Sequence, residues 1–261
     1  MMHFRTIILV MLAISLFQGC AEKESWKLVW SEDFEYSGLP DPRIWDYEIG
    51  HIRNNELQYY TSQAQNVRVE DGICIITARM ETEDSITSAS INTFGKKDFL
   101  YGRIEVRAKI PSALGTWPAI WMLGANRSEL GWPACGEIDI MEHVGYDPER
   151  IHANIHTKAY NHIAGTNKGN QIEVKDPWSG FHIYAVEWFE DHMDFFLDDS
   201  LYFSFENDLA GNNDTWPFDK PHYLLLNLAY GGSWGGNKGV DTSLLPVEYE
   251  IDYVRYFKKD Q

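Results

Sequence analysis

The chain has 261 residues, with 39 acids against 22 bases and a formal charge of −17. That balance argues against nucleic acid and anionic polysaccharides, which are held by basic surface, and leaves a neutral substrate as the natural partner. The three cysteines show no zinc-site spacing. An all-β chain of this length commonly forms one domain.

His3 and Arg5 make a weakly basic start, and residues 6–17 form an apolar stretch short of a comfortable bilayer span. It runs into Leu16-Phe17-Gln18-Gly19-Cys20, which resembles a bacterial lipobox. Residues 1–19 therefore read as a lipoprotein signal peptide and Cys20 as the lipidated residue, with ordinary signal-peptidase cleavage as the alternative. Several acyl chains on one cysteine anchor a protein stably where one chain does not. Residues 20–25 read as a short polar tether, and residues 26–261 as a single domain, expected to be monomeric. The implied location is outside the cytoplasm, on the outer membrane, the cell surface or the periplasmic face.

Period-two alternation dominates the domain. Residues 101–110 alternate polar and apolar side chains almost without error, the pattern of a strand buried on one face. Residues 72–79, 181–188, 192–197, 201–205 and 249–257 are read as further strands, separated by Gly, Asn and Asp turns. No stretch carries caps and a helical period over convincing length. The predicted fold is all-β, a two-sheet sandwich of jelly-roll type. Cys74 and Cys135 fall in apolar runs and are expected as free thiols, a disulfide between them being the alternative.

Between two of these regions lies Gly136-Glu137-Ile138-Asp139-Ile140-Met141-Glu142, with three carboxylates in six residues of a β-favouring run. Unpaired buried carboxylates are costly, so such a run belongs either in a cleft or on the solvent face of an edge strand. In a regular strand Glu137 and Asp139 share one face and Glu142 points the other way. One extra residue near Met141, a β-bulge, would return Glu142 to the face of the other two. Two glutamates flanking an aspartate suit the cleavage of a glycosidic bond.

The chain is also rich in aromatics, with 10 Trp, 14 Tyr and 13 Phe. Most are expected in the core. Trp117, Trp121, Trp132 and Trp234 fall in turn-rich polar contexts, and a flat indole in a cleft is a platform for the apolar face of a sugar. Trp132 and Trp234 are the stronger candidates for stacking, and Trp121 is expected nearer the core.

With these segments in view, the chain resembles glycoside hydrolase family 16, in particular its laminarinase-like endo-β-glucanases. The resemblance is carried by Gly131-Trp132-Pro133-Ala134-Cys135-Gly136-Glu137-Ile138-Asp139-Ile140-Met141-Glu142, by Gly115-Thr116-Trp117-Pro118-Ala119-Ile120-Trp121, by Asn54-Asn55-Glu56-Leu57-Gln58-Tyr59-Tyr60 and by Tyr101-Gly102-Arg103-Ile104-Glu105. It implies a jelly roll with a cleft across its concave sheet, and retention of anomeric configuration. Mapped residue by residue, Glu137 would be the nucleophile, Glu142 the general acid and base, and Asp139 a partner hydrogen-bonded to Glu137. Asn54 and Asn55 would contact sugars on the glycon side, and His156 would reach Glu142 or substrate, whereas His143 reads as structural. Ser90 departs from the arginine that many laminarinase-like members carry there, which leaves mixed-linkage β-1,3/1,4-glucan open beside β-1,3-glucan. No cofactor is expected for catalysis. A structural Ca²⁺ on the convex side is implied, with Asp33, Gly72 and Asp252 as candidate ligands. Two other functions fit the same fold: a surface protein that binds glycan without cutting it, and a galactanase of the agarase or carrageenase kind.

Overall fold

The computed structural model describes residues 26–260, so the expected signal peptide, Cys20 and the tether lie outside the described residues. Two sheets pack face to face. The first runs in the order Ser200–Glu206, His192–Leu197, His182–Trp188, Gly102–Lys109, Val247–Lys259, Ile73–Thr82, Ser85–Ser88 and Gln58–Tyr60, with Trp26–Glu32 added to Val247–Lys259 and Val67–Glu70 to Ile73–Thr82. The second runs Lys168–Glu173, Arg150–His156, Glu137–Glu142, Thr116–Gly124, His222–Tyr230, Ser90–Asn92 and Asp46–Tyr47. Neighbours in space are mostly distant in sequence, as jelly-roll connections require.

Alternation builds the first sheet as the sequence predicts. In Gly102–Lys109 the side chains of Ile104, Val106 and Ala108 are fully buried against the second sheet. Each large aliphatic so buried stabilises the fold by roughly 1.5–3 kcal/mol. On the outer face Arg103 donates to Glu105 and Glu187, 2.7 and 2.8 Å away. Strands are found at all the predicted places, although Ile73–Thr82 and Val247–Lys259 run longer than their apolar cores suggested. Cys74 and Cys135 are buried free thiols.

The second sheet was harder to read, because its central strands are covered on both faces. Every residue of His222–Tyr230 is buried. Leu224, Leu226 and Leu228 enter the main core, while Tyr223, Leu225, Asn227 and Ala229 alternate onto the opposite face. Thr116–Gly124 is likewise a full central strand, not the turn-rich stretch expected around Trp117 and Trp121. Pro118 disguises it: proline has no N–H for a ladder. Its carbonyl still accepts from the His143 N–H at 3.3 Å. Helix is confined among the described residues to Arg127–Leu130 and a short turn at Thr242–Leu244.

On the outer side of the first sheet, Asp33, Gly72 and Asp252 line one shallow pocket with Glu35, Asp71, Arg107 and Arg255. Arg255 donates to Asp33 at 2.8 Å, and Arg107 pairs with Asp252. Four acids thus face two guanidiniums. The nominated carboxylates, Asp33 and Asp252, are each already shared with an arginine.

Candidate active site

The acidic strand Glu137–Glu142 is bulged. It pairs with Thr116–Gly124 so that Met141 faces Ile120 and Asp139 faces Trp121, leaving Ile140 as the additional residue. The register with Arg150–His156 shifts at the same place, between Asp139 and Glu142. Ile138, Ile140 and Met141 are all fully buried in the core. Two consecutive side chains pointing inward return Glu142 to the side of Glu137 and Asp139, and all three line one cleft of about 610 Å³. Gly136 permits the entry into this strand: its φ is +82°, and a Cβ there would meet Phe218 and Pro217 at 2.9 Å.

Each glutamate receives an indole N–H. Trp132 Nε1 donates to Glu137 Oε2 at 2.9 Å, and Trp117 Nε1 donates to Glu142 Oε1 at 3.1 Å. Asn154 supplies a second donor to Glu142 Oε2 at 3.2 Å. His156 approaches the other end of the cluster, its Nε2 lying 3.2 Å from Asp139 Oδ2 and 3.7 Å from Glu137 Oε1. One polar atom from each of Glu137, Asp139 and His156 lies within 4.8 Å of the other two. The expected hydrogen bond from Asp139 to Glu137 is thus replaced by a shared approach to His156, and the expected reach of His156 to Glu142 is made by Asn154 instead. The reason is register: Asn154 pairs with Asp139 across the strands and His156 with Glu137. His143 is fully buried with Nε2 2.9 Å from the Pro148 carbonyl, the structural role expected of it.

Burial sets the protonation of the trio. It raises Glu137 and Glu142 from 4.5 to about 8, with the negative charge of Asp139 as the next contribution in each case. Asp139 itself is held well above the usual carboxylate range by burial. Three carboxyls crowded into one buried site do not all ionise together, so at neutral pH the cluster holds protons shared among its members.

Farther along the cleft, Trp121 is buried and donates from Nε1 to Asn227 Oδ1 at 2.7 Å. Asn227 donates in turn to the Tyr60 hydroxyl at 3.0 Å, and that hydroxyl to Glu56 at 3.3 Å. Glu56 also accepts from Gln58 at 2.7 Å and from Asn54 at 3.2 Å. Asn54 therefore lines the cleft, as does Glu56, whereas Asn55 is exposed and lies outside the cleft lining. Both asparagines have positive φ, +56° and +53°, so Asn55 serves the turn. Trp234 is half-buried in the cleft wall, edge-on to Trp117 at 5.3 Å and to His152 at 5.1 Å.

Arg53 was not singled out from the sequence, although it precedes Asn54 directly. Its guanidinium lies 4.9 Å over the Trp121 ring and pairs with Glu48. Its Nη1 is buried without a hydrogen-bond partner. Ser90 Oγ donates to the same Glu48 carboxylate at 2.7 Å. The position where an arginine was looked for thus helps to hold an arginine arriving from a neighbouring loop.

The model of glycosyl hydrolases family 16 matches residues 54–255. A β-glucanase of Rhodothermus marinus is 49% identical over 245 residues, covering 89% of this chain and 85% of that protein. Among solved structures, the laminarinase from Rhodothermus marinus superposes with a TM-score of 0.87 at 46% identity, over 92% of this chain and 100% of that one. SCLam, a non-specific endo-β-1,3(4)-glucanase from family GH16, gives 0.84 at 46% identity, over 90% and 92%. A match that takes in the bulged acidic strand, both indole donors and the cleft floor, with close to half the residues shared, makes this chain a member of glycosyl hydrolase family 16.

Proposed function

We propose that this protein is an endo-acting, retaining β-glucanase that cleaves β-1,3-glucan and accepts mixed β-1,3/1,4-glucan. The observation that carries the reading is the bulge at Ile140, which turns two proton-sharing glutamates into one cleft. The similar proteins include a laminarinase and an endo-β-1,3(4)-glucanase, and the neutral glucan fits a chain of strongly negative charge.

In the first step a Glu137 carboxylate oxygen attacks the anomeric carbon, forming a glycosyl ester as the glycosidic C–O bond breaks. The leaving oxygen takes the proton of Glu142. In the second step Glu142, now a carboxylate, accepts a proton from water whose oxygen attacks the same carbon and releases Glu137. Retention requires carboxyl groups about 5–5.5 Å apart. Trp132 steadies the carboxylate of Glu137, and Trp117 with Asn154 orients Glu142. Trp121 and Trp234 are assigned to the sugar-binding wall with Asn54, and His156 to holding the Asp139–Glu137 pair.

The test is reducing-sugar release from laminarin and lichenan, with the first-formed anomer followed by NMR. Release of the β-anomer supports the two-step route, and the α-anomer refutes it. Absence of any cleavage would refute the hydrolase reading itself. We further propose that the outer pocket at Asp33, Gly72 and Asp252 holds a structural Ca²⁺, and that the protein is exported and anchored through Cys20. Labelling with a fatty-acid analogue, lost in Cys20→Ala, would support the anchor, and undiminished labelling would refute it.

A further inference from the structure

Past Arg53 the cleft-bearing face of the second sheet continues into another pocket, of about 350 Å³. Glu48, Asn92, Phe94, Arg127 and Tyr223 form most of its walls. It is continuous with the catalytic cleft at two points. Arg127 lines both spaces, and the Glu48 carboxylate in this pocket holds the Arg53 guanidinium of the cleft. The strand register shows the same continuity, since Asp139 pairs with Trp121, Trp121 with Leu225 and Leu225 with Asn92. That row crosses four strands, and at about 4.8 Å per strand Asn92 stands roughly 14 Å from Asp139. Several linked sugars are needed to cover that distance.

The pocket sets one exposed ring among polar side chains. Phe94 is a large aromatic left 42% exposed, propped edge-on by Tyr223 with ring centres 4.9 Å apart. Its backbone is fixed by a hydrogen bond from Phe94 N to Asn92 Oδ1, 3.0 Å long. Beside this ring stand a carboxylate, a side-chain amide, and a guanidinium whose Nη1 lies 3.4 Å from the Tyr223 hydroxyl. An apolar face with a few convergent donors and acceptors is what an orienting carbohydrate pocket requires.

We propose that this pocket is a distal glucosyl subsite, in which Phe94 stacks on a further unit of the glucan chain lying in the catalytic cleft. The proposal rests on the β-glucanase reading and extends its binding surface beyond the Arg53–Glu48 pair. It makes Phe94 a determinant of chain-length preference.

The experiment compares kcat/KM for laminarihexaose with that for laminaritriose in the wild type, Phe94→Ala and Phe94→Tyr. The wild type should favour the hexaose. That preference should fall roughly fivefold in Phe94→Ala, the scale of one aromatic contact, and should be kept in Phe94→Tyr. An unchanged preference in Phe94→Ala, an equal loss in both variants, or a wild type indifferent to chain length each overturns the subsite. Calorimetric binding of both oligosaccharides to Glu142→Gln, alone and with Phe94→Ala, separates the two readings. Length-dependent binding that requires Phe94, without cleavage by the wild type, would refute the hydrolase and keep the subsite.

Discussion

Replacing Glu137 by Gln should make the protein more stable at neutral pH while destroying its activity. Burial raises the Glu137 carboxyl from 4.5 to about 8. An acid held above its unfolded value binds its proton more tightly in the folded state, so its contribution is most favourable below 4.5 and declines as pH rises towards 8. At pH 7 the difference amounts to about 3 kcal/mol if Glu137 stood alone, at about 1.36 kcal/mol per pH unit. Glu137 does not stand alone. Its proton is distributed over Glu142 and Asp139 as well, so about 1–2 kcal/mol is expected from neutralising one member. The glutamine keeps an acceptor for the Trp132 N–H, and its amide can donate towards Asp139 or His156, so little is lost in exchange. For a domain of this size the gain corresponds to a rise in Tm of roughly 3–6 °C at pH 7 to 8, shrinking to nothing near pH 4. Thermal unfolding of both proteins across that range is the assay, with turnover on laminarin measured alongside. A variant whose stability difference from the wild type is independent of pH, or negative at pH 8, would refute the account of a strained, proton-sharing cluster.

Other outcomes follow from individual contacts. Trp132→Phe removes the N–H that favours the charged form of Glu137, so the pH at which that carboxyl ionises should move up and kcat at pH 6 should fall about tenfold; an unshifted pH–rate profile would exclude this role. Asn154→Ala and Trp117→Phe each remove a donor to Glu142, and each should lower kcat with little change in KM, within the roughly 10²–10⁴-fold range of general acid–base catalysis; an effect confined to KM would contradict the assignment. Calcium added after chelation should raise Tm by a few degrees if the outer pocket binds it, and Asp252→Asn should abolish the increase; equal Tm values with EDTA and calcium would dismiss the cation.

The acidic strand, its bulge and the sandwich fold were legible because they depend on local chemistry. Carboxylates at fixed spacing in a β-favouring run, and side chains alternating in and out, leave their mark on short stretches of chain. His222–Tyr230 and Thr116–Gly124 were not legible in this way, since strands covered on both faces lose alternation and Pro118 imitates a turn. The indole donors show the same limit. Trp117 and Trp132 were recognisable as unusual tryptophans, but their hydrogen bonds to Glu142 and Glu137 come from strand pairing and loop placement.

From residues alone came the two glutamates, the aspartate and the kink that aligns them, because periodicity and charge act within a few positions. Only the tertiary structure decided which neighbours tune them. His156 and Asn154 reach the cleft from one neighbouring strand and Arg53 from a loop, and their partners are fixed by register and packing across the sheet. Such long-range pairings depend on how the whole chain closes upon itself, and no single segment encodes them.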